Sequence, residues 1–452
     1  MLPSLASDTI VAAATPPGRG GVAIVKVSGP EVPKIIQHIA ATQTIKPRYA
    51  HYIQLCDQDG MIDDGLLIHF IAPHSYTGED LFEFHSHGNP VIVQQIIKYF
   101  VQLGARLARP GEFTQRAYLN QKIDLLQAQA VADTIHAQSA RAARAALANL
   151  KGTFSRQIQQ IEQAILHSRM AIESNIDFSD QAIDSDILPA QKKQFSNLIH
   201  QLSIVLDRAK IGKQIHQGLR LVLIGPPNVG KSSLFNALCQ DDAAIVTATA
   251  GTTRDLLERA IMIEDMPCQL LDTAGLRGNA DDIEKQGIAK AIQAVESADL
   301  ILLMADASQH TFKDIQIFWQ QHLATPMPMD RICMIWNKAD LTSNIPISEQ
   351  SGTHISLLND AFPQILVEAI YNKIGLSPDQ AMQMIPAHQH HLDALNRALA
   401  SLKSARTHLL ECTLDLAAEH LKEAHHALTE MMGDSHHEAI LDEIFSKFCI
   451  GK

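Results

Sequence analysis

A phosphate-binding loop is indicated by the segment GPPNVGKS, residues 225–232. It fits the pattern GxxxxGK[ST], follows the apolar segment LRLVLI and precedes the helical pattern SLFNALC, as such a loop requires. Its glycines let main-chain N–H groups turn towards phosphate oxygens, while Lys231 can reach the β- and γ-phosphates and Ser232 can ligate Mg²⁺. The predicted nucleotide contacts here are Asn228, Val229, Gly230, Lys231, Ser232 and Ser233.

Two further motifs specify the nucleotide. LLDTAG, residues 270–275, provides an Asp that can support Mg²⁺ and a Gly whose N–H can meet the γ-phosphate. In WNKAD, residues 336–340, the carboxylate of Asp340 can accept two hydrogen bonds from a guanine edge, which adenine cannot supply. Three motifs in this order predict GTP, with contacts at Asp272, Thr273, Ala274, Gly275, Asn337, Lys338, Ala339 and Asp340.

The group that orients the attacking water is not fixed by the motifs. Ras-like GTPases use a Gln directly after the DxxG glycine, but this position is Leu276, which cannot hold a water. The acidic segment GLRGNADDIEKQG offers Asp281, Asp282 and Glu284. Chemistry alone leaves these three residues open, together with the alternative that all are solvated charges.

A monovalent cation is the predicted charge neutraliser, because no arginine finger is marked in the sequence. Asn228 and the segment TATAGTTRD place several neutral oxygens near the β- and γ-phosphates, and Ser232 and Thr253 are expected to hold Mg²⁺. The alternative is an ordinary loop without an ion. The predicted contacts are Thr247, Ala248, Thr249, Ala250, Gly251, Thr252 and Thr253.

Composition narrows the class of protein. The 452 residues carry a net charge of −12 and no block of Lys or Arg, so a local patch or a partner must attract any RNA. No apolar run approaches the roughly 20 residues of a membrane span, and the beginning lacks a secretory signal pattern. Six scattered cysteines without a CxxC pair argue against disulfides and zinc ribbons. We therefore predict a cytoplasmic protein without a membrane partner.

Hydrophobic periodicity predicts three kinds of domain. Residues 1–118 mix the strand-like GVAIVKVSG, GLLIHFIAP and LFEFHSHGNP with a helix that ends near Gly104, typical of an α+β domain. Residues 119–215 and 377–452 have helical stripes that must pack together, and residues 216–376 alternate apolar runs with helices. The α/β domain is thus expected inside a helical bundle. The stripes are Phe154, Ile158, Ile161 and Ile165, then Leu392, Leu395, Leu399 and Leu402. The clustered histidines, such as His388, His390 and His391, are expected to be solvated, and metal binding is the less favoured alternative.

Several segments together resemble the MnmE family of tRNA-modifying GTPases over nearly the full chain. They are DTIVAAATPPGRGGVAIVKVSG, SYTGEDLFEFHSHG, ARPGEFTQRAYLNQKIDL, GTTRD, DTAGLR and the last five residues, FCIGK. The resemblance implies an α+β tetrahydrofolate-binding domain that forms a homodimer, an all-α helical domain, and an inserted Ras-like P-loop GTPase domain.

The resemblance also implies a reaction. An FAD- and NADH-binding flavoprotein partner, MnmG, joins the homodimer in a heterotetramer, and together they act on the wobble uridine of certain tRNAs. They install an aminomethyl or carboxymethylaminomethyl group with a one-carbon unit from a 5-formyl- or methylene-tetrahydrofolate. K⁺ promotes pairing of the GTPase domains and replaces the arginine finger.

Site residues follow by the same resemblance. Asn228, Thr247, Thr249 and Thr252 match the K⁺ ligands, Thr253 the Mg²⁺ ligand and Glu284 the water-positioning acid. The folate contacts match Lys26, Glu83, Lys122 and Lys452. Departures from the family pattern are Lys26 in place of Arg, HSHGN in place of GHGG, and ISLLNDAF, where Leu357 follows the guanine-supporting Ser356 in place of Ala.

Cys449 allows several interpretations. The segment CIGK is a poor prenylation signal, because Gly451 is not aliphatic and Lys452 is an unfavourable last residue. A thiol there could attack carbon six of uridine, or the tail could serve packing and folate positioning. The rival functions are a ribosome-assembly switch GTPase without modification chemistry, against which the absence of a GXXG module after residue 376 argues, and a structural scaffold.

Overall fold

The computed structural model describes residues 8–40, 43–177, 187–240, 257–263, 266–272, 292–323, 325–342, 352–375, 384–433, 441, 444–446 and 448–452. The chain divides into two compact units. The first comprises Met1–Ala132, Ala148–Phe195 and Ala400–Lys452, and the second comprises Asp133–Leu147 and Ser196–Leu399. The four predicted segments, 1–118, 119–215, 216–376 and 377–452, stay a prediction.

The described strands are β1 (Thr9–Ala13), β2 (Gly20–Ser28), β3 (Ala50–Asp57), β4 (Gly60–Phe70), β5 (Leu81–Gly88), β6 (Ala105–Leu107), β7 (Leu219–Ile224), β8 (Leu257–Ile263), β9 (Met266–Asp272), β10 (Leu300–Asp306), β11 (Ile332–Asn337) and β12 (Thr353–His354). The described helices include α1 (Val32–Ile39), α2 (Pro90–Gln102), α3 (Glu112–Leu119), α4 (Leu125–His136), α5 (Ala140–Leu150), α6 (Thr153–Asp177), α7 (Ile187–Gln217), α8 (Lys231–Gln240), α9 (Phe312–Leu323), α10 (Phe362–Lys373), α11 (Gln389–Leu410) and α12 (Leu414–Met432).

The first unit contains a mixed six-stranded sheet in the order β3-β4-β5-β2-β1-β6. Only β1 and β6 pair in parallel among its described ladders. Alternate residues such as Val25 and Phe84 are buried in a core with Ile35 of α1 and Phe100 of α2. Residues between them, such as Lys26, lie on the other face, since side chains alternate along a strand. The three predicted strand segments and the helix before Gly104 are confirmed.

Helices of the first unit bury the predicted stripe. Phe154 and Ile158 of α6 are each at most 1% exposed, and α6 packs against α12. The ring of His425 also contacts Glu162, with Nε2 and Oε1 2.5 Å apart. The prediction that early and late helical segments pack together is confirmed for this pair of helices.

The second unit contains a six-stranded sheet in the order β12-β11-β10-β7-β9-β8. Its described ladders are parallel except for that of β8 and β9. Every residue of β10 and β11 is buried, because helices pack on both faces of the sheet, α8 and α10 on one and α9 on the other. The carboxyl ends of β7, β10 and β11 therefore meet at one edge, the usual place for ligands in such sheets.

The histidines at the beginning of α11 differ from the expectation. His391 is only 2% exposed, so the interpretation of this cluster as solvated is wrong for that residue. Its Nδ1 accepts a hydrogen bond from the His388 amide, and His388 Nε2 lies 3.1 Å from Asp133 Oδ1. Burial, followed by the neighbouring His390 and His388, lowers the pKa of His391 well below its usual value.

Within the described ranges, every helix is too short or too polar to cross a bilayer.

Candidate functional site

The phosphate-binding loop lies between β7 and α8, at the edge where the parallel strands end. Lys231, the first residue of α8, is 9% exposed, and its ammonium donates to the carbonyls of Gly225 and Pro226 at 2.8 and 2.6 Å. These bonds hold the lysine across its own loop. A lysine in this position beside a helix amino terminus is the arrangement that binds phosphates.

The two motif glycines are required by close packing. A Cβ on Gly225 would lie 2.2 Å from the carbonyl oxygen of Met304 in β10, and a Cβ on Gly230 would lie 2.5 Å from Asn337 Nδ2. Neither position has room for a side chain. The loop is therefore seated directly on the ends of β10 and β11.

Asn337 and Lys338 hold the two consecutive carbonyls of the loop tip. Asn337 Nδ2 donates to the oxygen of Val229 at 2.8 Å, and Lys338 Nζ donates to that of Asn228 at 3.2 Å. In a trans peptide the N–H points opposite to the C=O. The N–H groups of Val229 and Gly230 are thus directed away from the NKAD motif, which suits them to phosphate oxygens.

The residues predicted to contact guanine lie in two adjoining segments. Asp340 lies in a short 3₁₀ turn, Ala339–Leu341, with its side chain exposed. The Ala339 amide donates to the oxygen of Ile355 at 3.1 Å, which ties the following loop to the motif. Ser356 Oγ there accepts the Leu358 amide at 3.4 Å.

The atypical Leu357 has a packing role. It is half-buried and packs against the core below the sheet, and its Cδ1 would lie 3.5 Å from a Cβ on Gly230. Leu357 therefore lies beside the phosphate-binding loop, while its neighbour Leu358 is 90% exposed. The sequence alone did not reveal this contact.

Only some of the residues predicted to bind Mg²⁺ and the γ-phosphate lie among the described residues. Ser232 and Ser233 are exposed in the first turn of α8, and Asp272 ends β9 in register with Leu223 of β7. The remaining predicted contacts lie outside the described residues. These are Thr247, Ala248, Thr249, Ala250, Gly251, Thr252, Thr253, Thr273, Ala274, Gly275 and Glu284.

Three of the four predicted cofactor residues, Lys26, Glu83 and Lys452, lie close enough in the first unit to influence one another's charge. Lys26 and Glu83 are directly opposed in the β2–β5 ladder, with Nζ and Oε1 3.6 Å apart. Burial lowers the pKa of Lys26 and the positive charge of Lys452 lowers it further, whereas Glu83 raises it. The Lys26 ammonium also lies 5.6 Å from the ring centroid of Tyr76, a contact that the sequence did not predict.

Lys122 reaches the same loop that carries Tyr76. Its Nζ donates to the oxygen of Pro73 at 2.8 Å, and its side chain leaves little room beside Gly78. The loop thus contacts Lys26 at one residue and Lys122 at another.

Buried ion pairs fix that loop. Glu112 and Arg116 are 0% and 1% exposed, and Arg116 Nη2 lies 3.1 Å from Glu112 Oε1 and Nη1 lies 3.2 Å from Glu79 Oε2. Arg106 and Asp8 complete the network. Burial alone would raise the pKa of Glu112, but hydrogen bonds from Arg106, the Arg109 amide and Arg116 lower it to about 2. The RPGEFTQRAYLN segment, assigned by resemblance to the folate domain, therefore has a structural role that the sequence did not indicate.

The carboxyl-terminal segment is packed into the first unit. A Cβ on Gly451 would lie 2.0 Å from the oxygen of Ala13, and a Cβ on Gly111 would lie 2.7 Å from the oxygen of Phe445. Cys449 is exposed, and its carbonyl accepts the Gly111 amide at 3.4 Å. The tail is therefore held by its neighbours, with the thiol at the surface.

One group of side chains in the first unit has the types that bind metals. Ligand atoms of Asp63, Asp64 and His87 lie within 4.8 Å of one another. Asp63 accepts hydrogen bonds from the amide and the ring Nδ1 of His87, at 2.9 and 2.8 Å. These bonds account for the arrangement without a metal.

Two family models match the chain. The model "GTP-binding protein TrmE N-terminus" matches residues 9–122, and the model "MnmE helical domain" matches residues 125–449. Together with the two sheets, they confirm the predicted fold class of an α+β amino-terminal domain, a helical domain and an inserted P-loop GTPase domain.

Similar proteins align with nearly the whole chain. A protein of Coxiella burnetii named "tRNA modification GTPase MnmE" is 43% identical over 451 residues, which cover 98% of this chain and 99% of that protein. Proteins of the same name from Saccharophagus degradans and Alkalilimnicola ehrlichii are 40% and 41% identical and cover at least 99% of both chains. The Era structure of Aquifex aeolicus is 25% identical and covers 40% of this chain and 66% of that one, but its TM-score of 0.26 carries no weight. By its relatives and its family models, the chain belongs to the MnmE family of tRNA modification GTPases.

Proposed function

We propose that this tRNA modification GTPase hydrolyses GTP in a K⁺-stimulated cycle and, with a flavoprotein partner, modifies the wobble uridine of certain tRNAs. The product would carry a 5-carboxymethylaminomethyl or aminomethyl group whose one-carbon unit comes from a tetrahydrofolate. The observation that best supports GTP hydrolysis is the pair of hydrogen bonds from Asn337 and Lys338 to the phosphate-binding loop. It joins the guanine motif and the phosphate motif in one site.

The chain's own residues suit each part of the hydrolysis. Val229 and Gly230 direct N–H groups towards the phosphates, Lys231 adds a positive charge, and Asp340 pairs with the guanine edge. Ser232 and Thr253 are the residues proposed to hold Mg²⁺, which would neutralise phosphate charge when bound. Glu284 is proposed to orient the water that attacks the γ-phosphorus.

Asn228 is a plausible K⁺ ligand on conformational grounds. Its φ is +60°, the left-handed region that non-glycine residues seldom adopt, and its side chain is exposed at the loop tip. An amide oxygen there can join the hydroxyls of Thr247, Thr249 and Thr252 around a monovalent ion. Hydrolysis several-fold faster in K⁺ than in Na⁺ is expected, and equal rates in the two salts would remove the cation from the proposal.

The Lys26 cluster suits a folate. A pterin ring presents adjacent N–H donors to which the Glu83 carboxylate can accept two hydrogen bonds, and the folate carboxylates are attracted by lysines. Lys26, Lys122 and Lys452 supply this positive charge. The exposed Cys449 stays a candidate for attack on uridine carbon six, beside its structural alternative.

Assembly is supported by the open face of the first sheet. Tyr52 and Leu66 face each other across β3 and β4 and are 54% and 43% exposed. Exposed apolar side chains side by side favour a protein interface, and we propose that this face takes part in a homodimer which the flavoprotein completes to a heterotetramer. An enzyme of this kind works where tRNA works, so the cytoplasm stays the predicted location.

Mass analysis of wobble uridines tests the proposal. A strain that lacks the gene should lose the modified nucleosides, the wild-type gene should restore them, and the Lys26→Ala gene should not. Cys449→Ser should abolish modification with GTP hydrolysis nearly intact. Unchanged nucleosides in the deletion strain would instead support the alternative of a ribosome-assembly switch GTPase.

A further inference from the structure

The lysine of the guanine motif, Lys338, forms an ion pair with a buried carboxylate. Asp306 ends β10 and is 1% exposed, and its Oδ2 lies 2.6 Å from Lys338 Nζ. Its Oδ1 accepts hydrogen bonds from the hydroxyl and the amide of Ser308, at 2.6 and 3.0 Å. Both oxygens of the carboxylate are therefore engaged, and one of them confines the lysine.

Lys338 connects this carboxylate to the phosphate-binding loop. The ammonium that contacts Asp306 also donates to the carbonyl of Asn228 at 3.2 Å. A lysine ammonium is a mobile point charge on a flexible stem. The Asp306 carboxylate and the Asn228 carbonyl together therefore fix the position of the ammonium better than the Asn228 carbonyl alone.

The orientation of one peptide plane follows from that position. The Asn228 carbonyl and the Val229 N–H belong to one planar trans peptide, so fixing the carbonyl fixes the N–H. Asn228 is held at a φ of +60°, where the backbone needs support from its surroundings. The same lysine thus influences a phosphate donor and the residue proposed to bind K⁺.

We propose that Asp306 is a positioning residue of the nucleotide site, which orients the Asn228–Val229 peptide through Lys338. Guanine recognition and cation binding are thereby coupled by a carboxylate that touches neither ligand. The cation part rests on the proposed function, whereas the effect on nucleotide affinity does not.

The test compares full-length variants in two measurements. Asp306→Asn should lower the affinity for GDP about tenfold, because the amide keeps an acceptor oxygen but loses the negative charge that strengthens the bond to the Lys338 ammonium. It should also raise several-fold the K⁺ concentration for half-maximal hydrolysis at saturating GTP, and Asp306→Glu should recover part of both losses. A merely structural residue would lower thermal stability without changing the K⁺ requirement.

Asp314→Asn is the matched control. Asp314 is an exposed carboxylate in the same unit that accepts hydrogen bonds from Thr311, so both measurements should stay at the wild-type value. Wild-type GDP affinity and K⁺ requirement in Asp306→Asn would overturn the proposal.

A double-mutant cycle tests the route through Lys338. Asp306→Asn added to Lys338→Gln should lower GDP affinity less than twofold further, because the lysine that Asp306 positions is already gone. A second, independent tenfold loss would contradict the proposed route.

Two further outcomes, an Asp306→Asn variant that does not fold and a wild-type enzyme that does not respond to K⁺, still allow the role of Asp306 to be tested. If Asp306→Asn does not fold, Ser308→Ala should weaken GDP binding in the same direction by a smaller factor, and unchanged binding would then overturn the proposal. If the wild-type enzyme is equally fast in K⁺ and Na⁺, the cation function falls, but the GDP affinities still decide the role of Asp306.

Discussion

The nucleotide site of the second unit and the lysine cluster of the first are assembled in different ways. The nucleotide site uses short contiguous segments that follow strands of one parallel sheet, so each motif carries its own geometry. The lysine cluster combines Lys26, Glu83, Lys122 and Lys452 from separate parts of the chain. It therefore depends on a buried ionic network that holds the loop between them. Contiguous motifs reveal a site in the sequence, whereas a dispersed site needs the fold.

Substitution of Lys231 in the phosphate-binding loop should have the largest effect. It should impair the nucleotide site and leave the lysine cluster unaffected. Lys231→Ala is expected to reduce GTP hydrolysis on the order of 10²-fold or more, because it removes the positive charge proposed to stabilise the transferring phosphoryl group. Hydrolysis assays at saturating GTP measure this loss. Folate binding should be unchanged, and a parallel loss of folate binding would contradict the independence of the two sites.

Loss of the buried Glu112 carboxylate should lower the stability of the first unit. Glu112→Gln is expected to lower the free energy of unfolding by about 2–3 kcal/mol, because it removes the charge of a fully buried carboxylate that Arg106 and Arg116 share. The buried Arg116 guanidinium then keeps only Glu79 and Asp8 as charged partners. Urea denaturation followed by a probe in the first unit measures this change. Glu31→Gln is the control, since Glu31 pairs with Lys34 in an exposed ion pair that contributes little. Equal stability of the two variants would refute a structural role of the network.

Loss of Lys26 tests the proposed folate site. Lys26→Ala is expected to weaken tetrahydrofolate binding about tenfold through the lost charge-assisted contact, with GTP hydrolysis unchanged. Calorimetric titration measures the affinity. Lys34→Ala removes an exposed lysine of the same unit and should bind folate normally. Wild-type affinity in Lys26→Ala would remove that residue from the site.

The smallest expected effect is a pH dependence confined to the first unit. The pKa of Glu112 is lowered to about 2 in the folded protein from an ordinary value of 4.5. A lowered pKa stabilises the fold fully above the unfolded value and loses this contribution as the pH falls towards the folded one. Stability measured from pH 5 to pH 2 should therefore fall more steeply in the wild type than in Glu112→Gln. Parallel curves would contradict the cause assigned to the lowered pKa.

The strands and helices were predictable where one face is buried. The stripe from Phe154 to Ile165 and the strand around Val25 show the periods of a helix and a strand, and both are buried as predicted. The solvated interpretation failed for His391, because a polar side chain can be buried when its ring nitrogen accepts a backbone amide.

The sequence by itself determined the nucleotide, the family resemblance and the order of the segments, because these depend on residue types at short spacing. Only the tertiary structure decided why Gly225, Gly230 and Gly451 need to be glycine, since each faces a neighbour distant in the chain. It also decided that Glu112 and Arg116 are buried partners and that Asp306 stands behind Lys338. Such pairs join residues that no local pattern relates, so their contacts exist only after the chain has folded.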